Sequence, residues 1–412
     1  MKQQGFTLME LFVVLVIIGV LTTITLVAIN PAESLRKSRD GQRIADLNSI
    51  YLALQMAHSS GLSLGVCDGT KIYASLPAGS ALSNDNLPSG VSWVQAATEA
   101  VTKTDGTGWI PINFDSLATA SLFSHLPLDP KNSLSDNLFY TYSCDSSGTY
   151  TLTAWFESKY YGLNGTDPQS KIDGGPDPYL YEIGSNLYAS SLKPVGSWSF
   201  DEGSGSVASD TSGNGTNLEV RNLVNWVDGK IGKAVEMDSS ISAGCTNQNA
   251  GVYTATLPTV ISNLPSSRFT LSWWNYVTVS SGTSRVHLAA VNVSGCGMCS
   301  IWNMRTGVSL RTVAGDNNDF NYSSLPSLNT WHQLSFVFDK PNLLAKLYVD
   351  SSVSGQKSLT AGGNYGTISW MGVGIYLPTC VDSIPGEKID QLLLYNRALS
   401  ASELQRQYLL SQ

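Results

Sequence analysis

At 412 residues, with 14% of them charged, 37 glycines and a formal net charge of −8, the chain is long enough for two cored domains and poorer in charge than a typical cytosolic α/β enzyme. The negative balance, with no Lys/Arg-rich face carrying interleaved aromatics, argues against nucleic acid as a partner. Abundant Ser, Thr, Asn and aromatic residues fit a β-rich protein displayed outside the cell.

The chain opens with a short polar leader, Met1-Lys2-Gln3-Gln4-Gly5, followed by Phe6-Thr7-Leu8-Met9-Glu10 and an uncharged stretch from Leu11 to Ile29. As a helix, residues 6–29 would span about 36 Å, enough for a hydrocarbon core of roughly 30 Å. A secretory signal carries its cleavage site after a shorter apolar run; here the natural break precedes the run, so the mature chain is expected to keep it. A carboxylate inside such a helix is costly unless paired, which marks Glu10 as functional. An ordinary signal anchor with Glu10 at the membrane interface is the plainer alternative.

Gly5-Phe6-Thr7-Leu8-Met9-Glu10 ahead of an apolar run resembles the cleavage motif of type IV pilins and pseudopilins. The resemblance implies that a prepilin peptidase cuts between Gly5 and Phe6 and N-methylates the Phe6 amine. It also implies that Glu10 lies among packed subunit helices, paired with the Phe6 amine of a neighbouring subunit.

Residues 30–60 read as an amphipathic continuation, with Ile44, Leu47, Tyr51 and Leu54 forming a stripe toward a globular body. Arg36, Lys37, Arg39, Asp40, Arg43 and Asp46 fill the remaining positions. Asn30-Pro31 predicts a kink or break, and Gly41 a second weak point.

Residues 61–187 lose the helical period. Strands are expected at Phe139–Cys144 and Tyr150–Phe156, packed on the long helix, an arrangement similar to pilin heads. Asp173-Gly174-Gly175-Pro176-Asp177-Pro178 lacks the spacing and terminal glutamate of an EF-hand loop and reads as a turn.

A Ser-rich linker at 188–194 leads to residues 195–412, where alternating short strands (Phe269–Val279, Trp331–Asp339, Leu343–Asp350, Lys388–Tyr395) predict an all-β sandwich. Ser400-Ala401-Ser402-Glu403 forms a capping box opening a closing helix. Gly196-Ser197-Trp198-Ser199-Phe200, Asp210-Thr211-Ser212-Gly213, Trp331-His332-Gln333-Leu334 and Ile389-Asp390-Gln391-Leu392-Leu393-Leu394-Tyr395 occur in the order of laminin-G-like, concanavalin A-like jelly rolls, which this region resembles. That resemblance implies calcium near Asp210, and less directly near Asp201 and Asp390; turn capping is the competing role for Asp210 and Asp201. Trp302, Tyr322, Tyr365 and Tyr376 are the loop aromatics expected to stack on sugars, with Trp198, Trp273 and Trp331 assigned to the core. With Asp339, Asp350 and Asp390 isolated, and no Ser/His/Asp pattern standing out, the chain is read as a non-enzyme.

Six cysteines divide evenly: Cys67 and Cys144 in the first half, Cys245, Cys296, Cys299 and Cys380 in the second. Disulfides follow if the chain is exported. Cys296-Gly-Met-Cys299 has no second such pair, and His58, His125, His287 and His332 are scattered, so a zinc site is disfavoured.

The full expectation is therefore a leader (1–5), a transmembrane and assembly helix (6–29), its amphipathic continuation (30–60), a pilin head of α+β fold with a small antiparallel sheet (61–187), a linker (188–194) and a jelly-roll sandwich (195–412). Such a chain would sit in the bacterial inner membrane as a prepilin and then enter an extracellular filament. Its partners would be other pilin subunits, the prepilin peptidase, the inner-membrane assembly platform and a glycan or surface ligand. The bulk of the sandwich favours a minor or tip subunit. A pseudopilin of a type II-like secretion system and a membrane-anchored carbohydrate-active enzyme are the rivals.

Overall fold

A computed structural model describes residues 7–117, 124–238, 240, 250–278, 286–289, 301–304, 307–310, 319–377, 380–381 and 385–412. Helix α1 (Leu8–Ile29) begins at a capping box: the Thr7 hydroxyl accepts the Glu10 amide, and the Glu10 carboxylate accepts the Thr7 amide. It ends at Asn30, whose φ of 43° is left-handed, and Pro31 immediately opens helix α2 (Pro31–Ser59). The expected break is thus one helix end abutting one helix start, where proline's missing N–H costs nothing. Helix α2 continues through Gly41. Among the described residues no helix is long and apolar enough to cross a membrane; the described side chains of α1 stop at Thr22.

Five strands pack on α2: β1 (Lys71–Ala74), β2 (Ser92–Gln95), β3 (Thr141–Cys144), β4 (Tyr150–Trp155) and β5 (Leu180–Gly184), in the order β2-β1-β3-β4-β5. All pairs are antiparallel except β1 with β2. Leu47, Ile50, Ala53, Leu54 and Ala57 of α2 bury against Tyr140, Tyr142, Tyr150 and Leu152. Cys67 and Cys144 form a disulfide that ties the segment after α2 to β3.

The charges of α2 do not simply fill an outer face. Asp40 and Arg43 are both 0% exposed. Arg43 stands one turn before Leu47 on the inward stripe, and its guanidinium reaches Asp129 at 2.6 Å, Asp40 at 2.6 Å and Glu157 at 2.8 Å. Arg39 adds a two-pronged bond to Glu157, and the Asp40 carboxylate accepts the Glu157 and Ser158 amides. A buried arginine is tolerable here because three carboxylates surround it.

Downstream, among the described residues, lie two eight-stranded sheets, face to face. In the first, Arg268–Tyr276 pairs antiparallel with Trp331–Asp339 along nine residues and with Lys388–Tyr395 on its other side. The second runs from Phe320–Asn321 across Trp370–Val373 to Val207–Ala208.

The first sheet is buried on both faces. Phe269, Leu271, Trp273, Phe336, Phe338, Leu347, Leu392 and Leu394 enter the core between the sheets. Their alternates Val337, Tyr348, Leu393 and Tyr395 enter the same hydrophobic cluster as α2 and the five-stranded sheet. Leu404 and Leu410 of the closing helix Ala401–Leu410 join that cluster, and Trp274 stacks on Tyr408 with centroids 5.9 Å apart. Head and sandwich therefore share a core. The stretch 188–194 is packed as well, with Ser190 and Leu192 buried and the Leu192 carbonyl accepting the Arg397 Nε–H at 3.2 Å.

Candidate functional site

At the N-terminus, Gly5 and Phe6 lie outside the described residues. Glu10 is exposed on the single chain, where its carboxylate takes the Thr7 amide and hydroxyl, both at 2.8 Å. That bond fixes the helix start and leaves the apolar face of residues 8–21 uncovered by the rest of the chain. Leu8 is 88% exposed and Phe12 65%, an apolar surface that a lone soluble chain rarely presents.

On the sandwich, Asp210 is a turn clamp. Its Oδ1 accepts the amides of Ser197 and Ser212, and its Oδ2 accepts the Thr216 amide and the Ser212 hydroxyl, all at 2.9–3.0 Å. Asp201 accepts the Lys233 amide through Oδ1 and pairs with Lys171 of the head through Oδ2 at 2.9 Å. Asp390 accepts the Ile231 amide through Oδ2, while its Oδ1 is buried with no partner; burial pushes its carboxyl up to about 8. Among the described residues no group of three or more His, Cys, Asp or Glu is arranged to hold a metal ion. Donors of this chain engage both oxygens of Asp210 and of Asp201.

Two of the aromatics read as exposed loop residues are buried. Tyr365 is 1% exposed, edge-on to Phe338 at 5.1 Å, and Tyr322 belongs to the sandwich core. Rings covered on both sides cannot stack on a sugar. Trp302 and Tyr376 lie on strands, Ile301–Met304 and Ile375–Leu377, rather than loops, with Trp302 opposite His287 and Ser309. Of the residues assigned to the core, Trp198 and Trp273 are buried, whereas Trp331 is partly exposed beside Tyr276. Cys245, Cys296 and Cys299 lie outside the described residues, and Cys380 pairs with Leu377 in a short two-stranded ladder.

One arrangement escaped the sequence reading. The Ser327 hydroxyl lies 2.7 Å from His332 Nε2, and His332 Nδ1 lies 2.6 Å from Asp350 Oδ2, a serine–histidine–aspartate line. Asp350 has a left-handed φ of 49° in the turn after strand Leu344–Val349, and its Oδ1 accepts the Gln333 amide. Both carboxylate oxygens thus hold a strained turn against strand Trp331–Asp339, which makes the line a structural clamp. Only the fold brings these residues together: Ser327 and Asp350 are 23 positions apart.

Two packed antiparallel sheets with a closing helix define this part of the chain as a β-sandwich. Residues 249–405 match the family model of the concanavalin A-like lectin/glucanases superfamily, and residues 1–26 match that of the prokaryotic N-terminal methylation motif. The chain therefore joins a type IV pilin-type methylation motif to a concanavalin A-like domain. No curated protein matches it.

Among solved structures, the binding domain of Paraclostridial Mosquitocidal Protein 1 is 22% identical, with a TM-score of 0.38 over 52% of this chain and 51% of that one. The binding domain of botulinum neurotoxin serotype G is 16% identical, with a TM-score of 0.41 over 52% and 50%. Trypanosoma rangeli sialidase is 16% identical, with a TM-score of 0.36 over 52% and 32%. The chain thus spans about half the length of these binding domains and a third of the sialidase. Similarity this remote carries nothing about ligands.

Proposed function

We propose that this chain is a subunit of a type IV pilus-like filament, in a minor or tip position, whose sandwich presents an adhesive surface to glycans. The observation that carries the proposal is the methylation motif at residues 1–26, which runs into and covers most of the uncovered apolar helix α1. In this reading the prepilin rests in the inner membrane through α1, is cut after Gly5, and is methylated at Phe6. Helix α1 then packs among sister helices, where Glu10 exchanges Thr7 for the Phe6 amine of a neighbour. The large sandwich docked on the head supports a minor or tip position, because a tightly packed filament leaves little room for it at every step.

Mass spectrometry of chains taken from assembled filaments tests the proposal. The expected N-terminus is N-methylated Phe6, and Gly5→Val should leave the precursor uncut. An intact Met1 terminus in assembled material rules the reading out. Recovery of the mature chain only from the cell envelope, never from sheared surface filaments, would favour the pseudopilin alternative.

A further inference from the structure

A cleft of about 330 Å³ lies beside the stretch 188–194, with walls from three parts of the chain: Pro88 and Val91 of the head, Tyr188 and Lys193 of the stretch itself, and Asn214 and Val260 of the sandwich. Small-molecule sites typically occupy roughly 300–1,000 Å³. Among the described residues, Lys193 is the one charged side chain in the lining.

Lys193 is half-buried and poorly partnered. Among the described residues its ammonium makes one long hydrogen bond, 3.4 Å to the Ser212 carbonyl, and stands 4.9 Å from the centre of the Tyr188 ring. An ammonium carries three donors, so part of its capacity is unused. Burial pushes it down from the ordinary lysine range. Two acids act on it through space, and neither cancels it. Burial holds Glu182 well above the ordinary carboxylate range, and both Asp210 oxygens accept backbone amides. An anion brought into the cleft would pair with a cation that the chain leaves undercompensated.

Beside that cation is an aromatic surface that solvent reaches. Tyr188 is 41% exposed, unlike the covered rings of Tyr322 and Tyr365. Its position is also fixed: its amide donates to Asn186 Oδ1 at 3.0 Å, and its ring rests on Gly213, where a Cβ would come within 2.6 Å of ring carbons. Pro88, Val91 and Val260 add apolar surface to the same walls. A small inorganic anion would use the cation alone, and a neutral sugar the ring alone; a sugar that carries a carboxylate uses both.

We propose that this cleft binds the terminal carboxylated sugar of a glycan, a sialic or uronic acid, with its carboxylate on the Lys193 ammonium and a C–H face against the Tyr188 ring. The inference rests on the adhesion reading and moves the ligand from the sandwich loops to the stretch that joins the two parts. A fragment beginning at residue 195 would lack both Lys193 and Tyr188.

The test applies the full-length chain, in a detergent without a sugar headgroup, to an array of glycans ending in sialic acids, uronic acids, neutral hexoses and N-acetylhexosamines. Inorganic phosphate, a glutamate-rich peptide and the free sugar acids serve as competitors. Binding is expected to the acidic glycans, to be lost when their carboxyl groups are reduced, and to weaken as salt rises. Lys193→Gln removes the charge, and Val260→Glu sets a repelling carboxylate on an exposed residue of the cleft wall without touching the core. Each should weaken binding about tenfold or more at unchanged melting temperature. If wild type binds acidic glycans and both variants bind them equally well, the cleft is not the site and adhesion through another surface stands. Binding confined to neutral glycans has the same meaning. Displacement by phosphate or the peptide as readily as by the free sugar acids would make the cleft a general anion site and overturn the sugar assignment. If wild type binds nothing on the array, the cleft and the adhesion reading both fall.

Discussion

The Tyr395 hydroxyl donates to the Asp177 carboxylate at 3.0 Å, joining the last sandwich strand to the head across 218 residues, with both partners buried. Gln407 of the closing helix donates to the same Tyr395 oxygen at 2.9 Å. Tyr395→Phe should therefore destabilise the protein by about 1–3 kcal/mol, because Asp177 loses its donor in a site closed to water. Hydrogen exchange should quicken in β5 and in the closing helix together; quickening in only one would mean the two parts open independently.

Glycine at position 162 serves the same joint. A Cβ there would lie 2.7 Å from the Leu410 carbonyl oxygen and 3.1 Å from the Leu410 side chain. Gly162→Val is expected to lower the melting temperature by several degrees, about 1–3 kcal/mol of overpacking, and to make the junction susceptible to limited proteolysis. Unchanged protease resistance would show that the closing helix can shift without loosening the joint.

Burial pushes Asp173, Asp177 and Asp390 up to about 7, about 6 and about 8. Between the ordinary carboxylate range and those values the folded chain keeps protons that the unfolded chain has released, so stability declines as pH rises from about 4 toward 8. Glu157 acts oppositely: against the cost of burial, Arg39 and Arg43 hold it down to about 2, so its contribution is full above its ordinary value and is lost as pH falls toward 2. Melting temperature should peak at about pH 4 and fall on both sides. Asp390→Asn should raise it most at about pH 8 and change it little at about pH 4. A wild-type curve flat across that range would contradict the assignment.

The Cys67–Cys144 bond closes a loop of sequence separation 77. Replacing both cysteines with serine should cost about 4 kcal/mol, chiefly through a freer unfolded chain, and chemical denaturation of the oxidised and reduced forms measures it. A loss below about 1 kcal/mol would imply an unfolded state already compact around that loop.

Ser327 is exposed and hydrogen-bonded to His332, so its reactivity separates a clamp from a hydrolytic site. A fluorophosphonate probe should leave it unlabelled, and Ser327→Ala should change stability little, whereas His332→Ala should loosen the turn at Asp350. Stoichiometric labelling of Ser327 would restore the enzyme reading.

The sequence carried the helix break at Asn30-Pro31, strands β3 and β4, the closing helix and its capping box, because each rests on local chemistry. It carried the two end motifs through residue order. The two-faced burial of the first sheet was partly legible: Phe336-Val337-Phe338 and Leu392-Leu393-Leu394-Tyr395 are unbroken apolar runs, the mark of a strand covered on both sides. The Arg43 cluster was not legible, since Asp129 and Glu157 come from distant segments and a charge on a helix gives no sign of its partner. The exposure of Tyr322 and Tyr365 was misread for the same reason: whether a loop aromatic turns inward depends on what packs over it.

The shared core has a mechanical consequence. In the proposed filament, a subunit held by α1 at one end and by a surface ligand at the other carries tension through α2 and the head into the sandwich. That load crosses a broad packed contact and runs along the strands as shear, rather than passing through a single flexible strap. Such a joint yields only when many contacts break together.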